Sequence, residues 1–336
     1  MLSSNNLTWD IIKQALGYIM FLKRKRSGKM KARGCADGRP QREYITKEES
    51  SLPTVSLYAL MGPFLMDAMD ERKVITVNIP GAFLQGDWPQ DEHPGYIMFK
   101  GIMVDMICEI DPSYHDKVIC SKDGKRKFLY GRLIKAVYGT LLGAIIFYNK
   151  ISRHLTNHGF IQNEYDMCTF NKMVNGEQVT VQFHVDDLKV SHKDQAVLDD
   201  FLDELRSEFG QEYELAENKG LVHEYLGITI NYSIASKLVF TMFNYLEDVI
   251  VKATEDLKNS RPYYPGNNQL FKVDEDSPIL PPKDVELFHR HVARLLFSSK
   301  RARPDIQVCV AFLFTRVKSP TEEDYKKIGR VIIYLK

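Results

Sequence analysis

The sequence predicts an α+β protein, a small antiparallel sheet backed by helices and followed by a helical tail. Three observations predict it. The run Lys73-Val74-Ile75-Thr76-Val77-Asn78-Ile79 is rich in β-branched residues and closes on Pro80-Gly81, a strand signature. Two further β-forming segments, Phe170 to Asn175 and Gln178 to Phe183, flank Asn175-Gly176, a strong hairpin signal. Asp194 to Phe209, with Val197, Phe201, Leu202, Leu205 and Phe209 at helical spacing, supplies a helix to cover that sheet.

The 336 residues are 44% hydrophobic and 26% charged, which fits one large or two to three small folding units. The formal net charge is +1, so the whole-chain balance does not argue for a nucleic-acid partner and local charge must. Five scattered cysteines (Cys35, Cys108, Cys120, Cys168, Cys309) lack metal-ligand spacing and read as reduced thiols of an intracellular protein. The apolar stretch from Ile11 to Leu22 is interrupted by Lys13 and Gln14 and is shorter than the roughly 20 residues of a membrane span. No signal-peptide pattern is seen.

In chain order, Trp9, Ile11, Ile12, Leu16 and Ile19 suggest a first amphipathic helix. A basic run follows, Lys23-Arg24-Lys25-Arg26 and then Lys29, Lys31 and Arg33, which reads as a charged hairpin, a phosphate-binding surface or a short nuclear-import signal. Gly34, Gly38 and Pro40 suggest turns. Thr54 to Met69 reads as a helix with Pro63 kinking it or delaying its start. Residues 88 to 130 look like an excursion with short strands at Tyr96 to Phe99 and Val118 to Cys120. Leu141 to Leu155 reads as a long apolar helix and Phe160 to Cys168 as a linker. Tyr225 to Tyr232 and Lys237 to Met242 suggest a second hairpin, Phe243 to Thr254 a helix, and Asn259 to Asp276 a linker. Helices follow at about Asp284 to Lys300, Asp305 to Arg316 and Thr321 to Lys336, the last opening on a Thr-Glu-Glu-Asp capping pattern. It runs into the chain end without a cap, so a cut from a longer polyprotein is expected.

Chemistry concentrates at Gln182-Phe183-His184-Val185-Asp186-Asp187-Leu188. Adjacent carboxylates at a strand tip repel unless a cation lies between them, and Mg²⁺ takes carboxylate and phosphate oxygens. Alone, the pair is also what a solvated polar turn looks like. In context, Phe183-His184-Val185-Asp186-Asp187 resembles the Tyr-x-Asp-Asp motif of reverse transcriptases, in the Tyr-Val-Asp-Asp form of copia-type LTR retrotransposons. Further blocks agree in order. Lys31-Ala32-Arg33 with Gly38 and Gln41 resembles the basic fingers block, and Val77 to Gly86 the first catalytic strand. Leu133 to Gly139 resembles the Leu-x-x-x-x-Tyr-Gly block, and Tyr225-Leu226-Gly227-Ile228 the primer-grip hairpin. Arg303-Pro304-Asp305-Ile306 and Gly329-Arg330 to Lys336 resemble the family's helical tail.

The resemblance implies a right-hand polymerase. Residues 1–73 would be the N-terminal region and fingers, 74–87 the first catalytic strand of the palm, and 88–138 a fingers insert. Residues 139–232 would be the palm with its catalytic hairpin and the start of the primer grip. Residues 233–336 would be the rest of the grip, a linker and a helical thumb, ending before any RNase H. It implies RNA-directed DNA synthesis on a primed RNA or DNA template from deoxynucleoside triphosphates, with two Mg²⁺ ions or Mn²⁺ as cofactor. It places Asp186 and Asp187 as metal ligands. Lys31, Arg33, Phe83, Tyr138 and Gly139 would hold the nucleotide, with Phe83 as the gate against a 2′-hydroxyl, and Tyr225, Leu226 and Gly227 the primer. Arg294, Lys300, Arg301, Arg303, Arg316 and Lys318 would track the duplex backbone. Location in the cytoplasm or nucleus, away from membranes, follows from the same resemblance.

One departure stands out. The family's third metal-binding carboxylate falls at position 78, and here that residue is Asn78. An amide is neutral and offers one oxygen, so impaired catalysis is expected. Leu142, Phe147 and His184 also depart from the usual Gln, Trp and Tyr. Two alternatives stand beside an active polymerase: a non-catalytic relic that folds and binds primer–template, and a metal-dependent nucleotide-binding or structural protein without a nucleic-acid role.

Overall fold

The computed structural model describes residues 1–24, 28–90, 94–234, 237–253 and 262–336, with 251–253 by backbone alone. Lys25 and Arg26 of the basic run, Thr254 and the first part of the expected 259–276 linker lie outside the described residues. The chain divides into two compact units, Met1–Lys219 and Gly220–Lys336.

The first unit opens with α1 (Trp9–Gln14), β1 (Leu16–Arg24) and β2 (Met30–Ala36). The expected N-terminal helix is therefore only six residues long and is capped by Thr8, whose hydroxyl accepts from the Ile11 amide. The rest of that apolar run is strand, and short apolar runs are ambiguous between the two periods. Pairing decided it: Leu16 and Gly17 lie beside Ile97 and Met98 in parallel register, and Leu16 is buried. Gly34, expected in a turn, sits inside β2, where a Cβ would come 1.8 Å from the Tyr18 hydroxyl. Only glycine lets that ring cross the strand.

α2 (Leu57–Met69) contains Pro63 without breaking. Proline cannot donate to the carbonyl four residues back, that of Ala59. The Gln182 side-chain amide donates to that oxygen instead. β3 (Lys73–Asn78) follows, then β4 (Tyr96–Lys100), α3 (Ile102–Ile110), β5 (Ile119–Cys120) and β6 (Lys127–Arg132). The helix α3 was not legible in the expected excursion; Val104 and Cys108 hold it by burial against Leu129. The strands make a five-stranded sheet in the order β2-β1-β4-β6-β5.

α4 (Gly143–Asn157), β7 (Ile161–Gln162), β8 (Thr169–Val174), β9 (Glu177–His184), β10 (Asp187–His192), α5 (Gln195–Phe209) and β11 (Ala216–Asn218) complete the unit. The 160–168 linker thus contributes a short edge strand. The second sheet, in the order β11-β3-β10-β9-β8-β7, is antiparallel throughout. Alternation along β10 splits its two faces. Leu188 and Val190 enter the core with Phe147, Ile151 and Leu155 of α4 and Leu198, Leu202 and Leu205 of α5. Lys189 points the other way, fully buried, and pairs with the buried Asp67 of α2 beneath the Phe64 ring. Burial lowers the Lys189 pKa and Asp67 opposes that shift.

In the second unit β12 (Val222–Tyr225), β13 (Ile228–Asn231) and β14 (Val239–Thr241) form a three-stranded antiparallel sheet. α6 (Phe243–Ala253), α7 (Pro282–Ser299), α8 (Gln307–Thr315) and α9 (Glu322–Leu335) follow around a core of Phe288, Val292, Leu295, Leu313 and Val331. The capping pattern ahead of α9 is real: the Thr321 hydroxyl and the Asp324 carboxylate bond each other's backbone amides. Compactness divides the chain at 219/220, because the hairpin around residue 226 pairs with β14 and not with the six-stranded sheet.

Candidate nucleotidyl-transfer site

β9 and β10 pair with Asp187 opposite His184, leaving Val185 and Asp186 as the two central residues of the turn. Val185 has φ +58°. A β-branched residue in the left-handed region is strained, at a cost on the order of 1–3 kcal/mol. Here the strain is held in place from just past the end of β3, where the Ile79 amide donates to the Asp186 carbonyl at 2.8 Å. By contrast Asn175 (φ +53°) and Gly176 (φ +80°) form the turn expected of an Asn-Gly pair.

Antiparallel register also puts Asn78, the last residue of β3, directly opposite Asp187, the first of β10. The Asn78 amide nitrogen donates to Asp187 Oδ1 at 2.9 Å. Both residues are half-buried. Burial raises the Asp187 pKa; the Asn78 hydrogen bond opposes this, and the Asp186 charge adds to it. The three expected positions therefore do come together, at the end of one strand and the tip of the adjacent hairpin.

A donor set for two divalent ions is not complete there. Among the described residues no three His, Cys, Asp or Glu side chains gather to hold a metal. Asn78 turns an N–H toward Asp187, so a positive dipole occupies the carboxylate oxygen that a cation would need. Two carboxylates and an amide do not fit a two-ion centre.

Of the expected nucleotide-binding residues, Lys31 and Arg33 lie within β2, Phe83 follows β3, and Tyr138 and Gly139 precede α4. Phe83 and Tyr138 lie with ring centroids 4.4 Å apart. Burial raises the Tyr138 pKa, Asp186 adds to the rise, and Arg33 lowers it, so the tyrosine lies in the field of both the Val185–Asp186 turn and the basic strand. Lys31 and Arg33 alternate onto one face of β2 and are exposed, opposite Lys23 and Phe21 of β1. Lys23 is thus placed beside Lys31 by register. Gly139 has φ +88°, and a Cβ on it would meet the Ala36 carbonyl at 2.1 Å. The Ala36 amide in turn donates to the Tyr138 carbonyl at 2.7 Å. Gln41, buried, accepts the Leu141 amide at 2.8 Å. The fingers block and the Tyr-Gly block are thereby knit backbone to backbone. The clamp role of Gln41 had a signal in the sequence, its place in the 31–41 block, but not a chemical one.

In the second unit Leu226 (φ +49°) and Gly227 (φ +78°) form the tip of the β12–β13 hairpin, with Tyr225 buried behind it. What the turn presents outward is therefore Leu226 and Gly227. Of the six tail cations, Arg303 is bound to Asp305 by bonds of 2.9 and 2.7 Å and Arg316 to Asp324 at 3.2 Å. Those two each carry a carboxylate partner within the unit.

The described residues include no helix long and apolar enough to cross a membrane. Comparison with known proteins places this geometry. Residues 113–265 match the family model for reverse transcriptase (RNA-dependent DNA polymerase). A putative transposon Ty5-1 protein of Saccharomyces cerevisiae is 24% identical over 212 residues, covering 62% of this chain and 63% of that protein. A retrovirus-related Pol polyprotein from transposon RE1 of Arabidopsis thaliana is 22% identical, covering 98% of this chain and 21% of the polyprotein. A solved foamy viral protease–reverse transcriptase in complex with double-stranded DNA aligns over 95% of this chain and 43% of its own, at 10% identity and TM-score 0.46. By class, residues 113–265 are similar to reverse transcriptases. More narrowly, both curated relatives that the chain resembles are transposon proteins. It spans less than two thirds of the length of either curated relative.

Proposed function

We propose that this chain is the polymerase segment of a retrotransposon Pol protein that folds, engages primer–template nucleic acid and extends it poorly. The observation that carries the reading is the Asn78 to Asp187 hydrogen bond at the mouth of the catalytic hairpin. Reverse transcriptases as a family depend on divalent metal. The family's reaction draws on two Mg²⁺ ions, or Mn²⁺, to stabilise the attacking and leaving oxygens. Asp186 and Asp187 supply two of the carboxylates such ions need, and Asn78 withholds the third. Losing one preorganised charged group costs on the order of 10²–10³ in rate.

The remaining expected residues support the same reading. Lys31 and Arg33 offer a point charge and a planar fork to a triphosphate. Phe83, against Tyr138, would stand under the sugar and exclude a 2′-hydroxyl, and the Leu226–Gly227 turn would bear on the primer. The reading places the chain in the cytoplasm or nucleus, where primed template RNA is found. Primer extension on an RNA template by this chain and by Asn78→Asp tests it. Gain of extension in the Asp form alone is the expected result.

A further inference from the structure

Two histidines stand on consecutive turns at the end of α4, His154 in its last turn and His158 as its cap. Both line one cavity of about 750 Å³, walled by α4, by the loop from Gly86 to Pro89 and by Glu208 near the end of α5. The two rings are half-buried, with centroids 4.3 Å apart. His158 Nδ1 lies 2.8 Å from the His154 carbonyl. A carbonyl can only accept, so Nδ1 carries the proton and Nε2 keeps its lone pair. The His154 ring is held by an edge-on contact with Phe209 of α5, at 5.2 Å. Burial first, and His158 second, pull the His154 pKa down to about 4, so that ring is neutral near pH 7.

Two neutral ring nitrogens four residues apart on a helix can chelate one divalent transition ion. A backbone carbonyl that takes the other ring proton, as at His158, is the usual support of an imidazole ligand, because it fixes tautomer and orientation. Imidazoles bound at about 2.1 Å have centroids about 4.6 Å apart at a right angle and about 5.3 Å apart at a tetrahedral angle. The observed 4.3 Å fits the right angle, which suits Cu²⁺ and Ni²⁺ rather than Zn²⁺. The surrounding charge argues against a hard ion. Glu208 pairs with Lys150 at 3.1 Å and Asp87 with Lys135 at 2.7 Å, and Arg153 adds a further cation to the wall. Mg²⁺ and Ca²⁺ bind oxygen ligands, and the two carboxylates here already have partners. Among the described residues no third acid, thiol or imidazole gathers with the pair. Water then completes the coordination, and the site is open to exchange. A helix cap needs only His158 Nδ1 and leaves Nε2 and the neighbouring His154 ring without a use. α4 lies on the side of the six-stranded sheet where Leu188 enters the core with Phe147. Asn78 and Asp187 alternate with Val77 and Leu188 and so take the other face.

We propose that His154 and His158 form an open binding site for a divalent transition ion of tetragonal geometry, Cu²⁺ or Ni²⁺, on the α4 side of the first unit. The site does not depend on the polymerase-segment reading above. Thermal melting of the full chain with Ni²⁺ as the probe tests it. Free Ni²⁺ at about a hundred times its Kd should raise the melting temperature by roughly 5–10 °C. His154→Gln and His158→Gln should each lower the Ni²⁺ affinity about 10²-fold, because a single ligand is no chelate. His158→Gln also loses the capping bond and starts from a lower melting temperature, so the Ni²⁺-induced rise is the quantity compared. With Cu²⁺, electron paramagnetic resonance should show coupling to two imidazole nitrogens in the wild type and to one in either variant. No rise with millimolar Ni²⁺, or the same rise in the wild type and both histidine variants, overturns the assignment. A rise that vanishes in the double variant Asp186→Asn with Asp187→Asn and persists in the histidine variants places the ion at the Val185–Asp186 turn and overturns it too. An equal rise with Mg²⁺ that needs both histidines shows that the site takes a hard ion, and the assignment to a transition ion is wrong.

Discussion

Replacing Asn78 by Asp exchanges a hydrogen bond for a repulsion that only a cation can relieve. Asn78 Nδ2 stands 2.9 Å from Asp187 Oδ1. Two unit charges at that distance repel by ~6 kcal/mol at an effective dielectric of ~20 and by ~1.4 kcal/mol in water. Both side chains are half-buried, so the cost without metal falls between these limits. A loss of about 2 kcal/mol lowers the melting temperature by roughly 4–8 °C for a unit of this size. Asn78→Asp in EDTA is therefore expected to melt several degrees below the wild type. Millimolar Mg²⁺ should recover most of that loss, because a divalent ion turns the repulsion into shared coordination. The wild type should respond little to Mg²⁺. Primer extension in the same buffer should rise by about 10²–10³ in the Asp form. Comparable extension by the two proteins, or an Asp form whose melting ignores Mg²⁺, would refute the reasoning.

Other expectations follow from the same geometry. The Asp67–Lys189 pair is sealed between α2 and β10, so Asp67→Ala should cost about 3–5 kcal/mol by stranding a buried ammonium, read as a lowered urea midpoint. The double variant Asp67→Leu with Lys189→Met should recover much of it. Gly139→Ala combines a positive φ with a Cβ 2.1 Å from the Ala36 carbonyl. It should unlatch the fingers block and lower the melting temperature markedly, whereas Gly28→Ala, with φ +81° but open space around it, should cost far less. Burial first, and the neighbouring His158 second, pull the His154 pKa down to about 4 from 6.5. The unfolded chain then binds more protons between about pH 4 and 6.5, so stability is full above that window and falls as the pH drops through it. Discounted for its partial exposure, the loss should be about 1 kcal/mol between pH 7 and 5, and His154→Gln should flatten that part of the stability–pH curve. A curve as steep in the variant as in the wild type would place the titration elsewhere.

Local pattern was enough for much of this protein. The β-branched run ending at Asn78, the Asn175-Gly176 hairpin, the helix over 195–209 and the capping box at Thr321 are each decided within a few residues, by side-chain sterics and neighbouring hydrogen bonds. The order of motifs around Asp186-Asp187 was enough to point to the reverse transcriptases that the comparisons also find, and one letter at position 78 was enough to question the chemistry. Long-range pairing decided the rest. Ile19 sits in a strand because β2 lies beside β1, and Gly34 in another because Tyr18 needs the space. The helix after residue 101 exists because Val104 and Cys108 find Leu129. Pro63 is tolerated because Gln182, far along the chain, takes the carbonyl that it orphans. The same holds at the catalytic turn. Its sequence declares two acids, but only the β3–β10 register turns the Asn78 amide onto one of them. Only tertiary packing shows that Arg303 already has its counter-ion in Asp305. Spacing along a chain fixes dihedral preferences and faces; partners distant in sequence are chosen by which groups must be buried together and satisfied there.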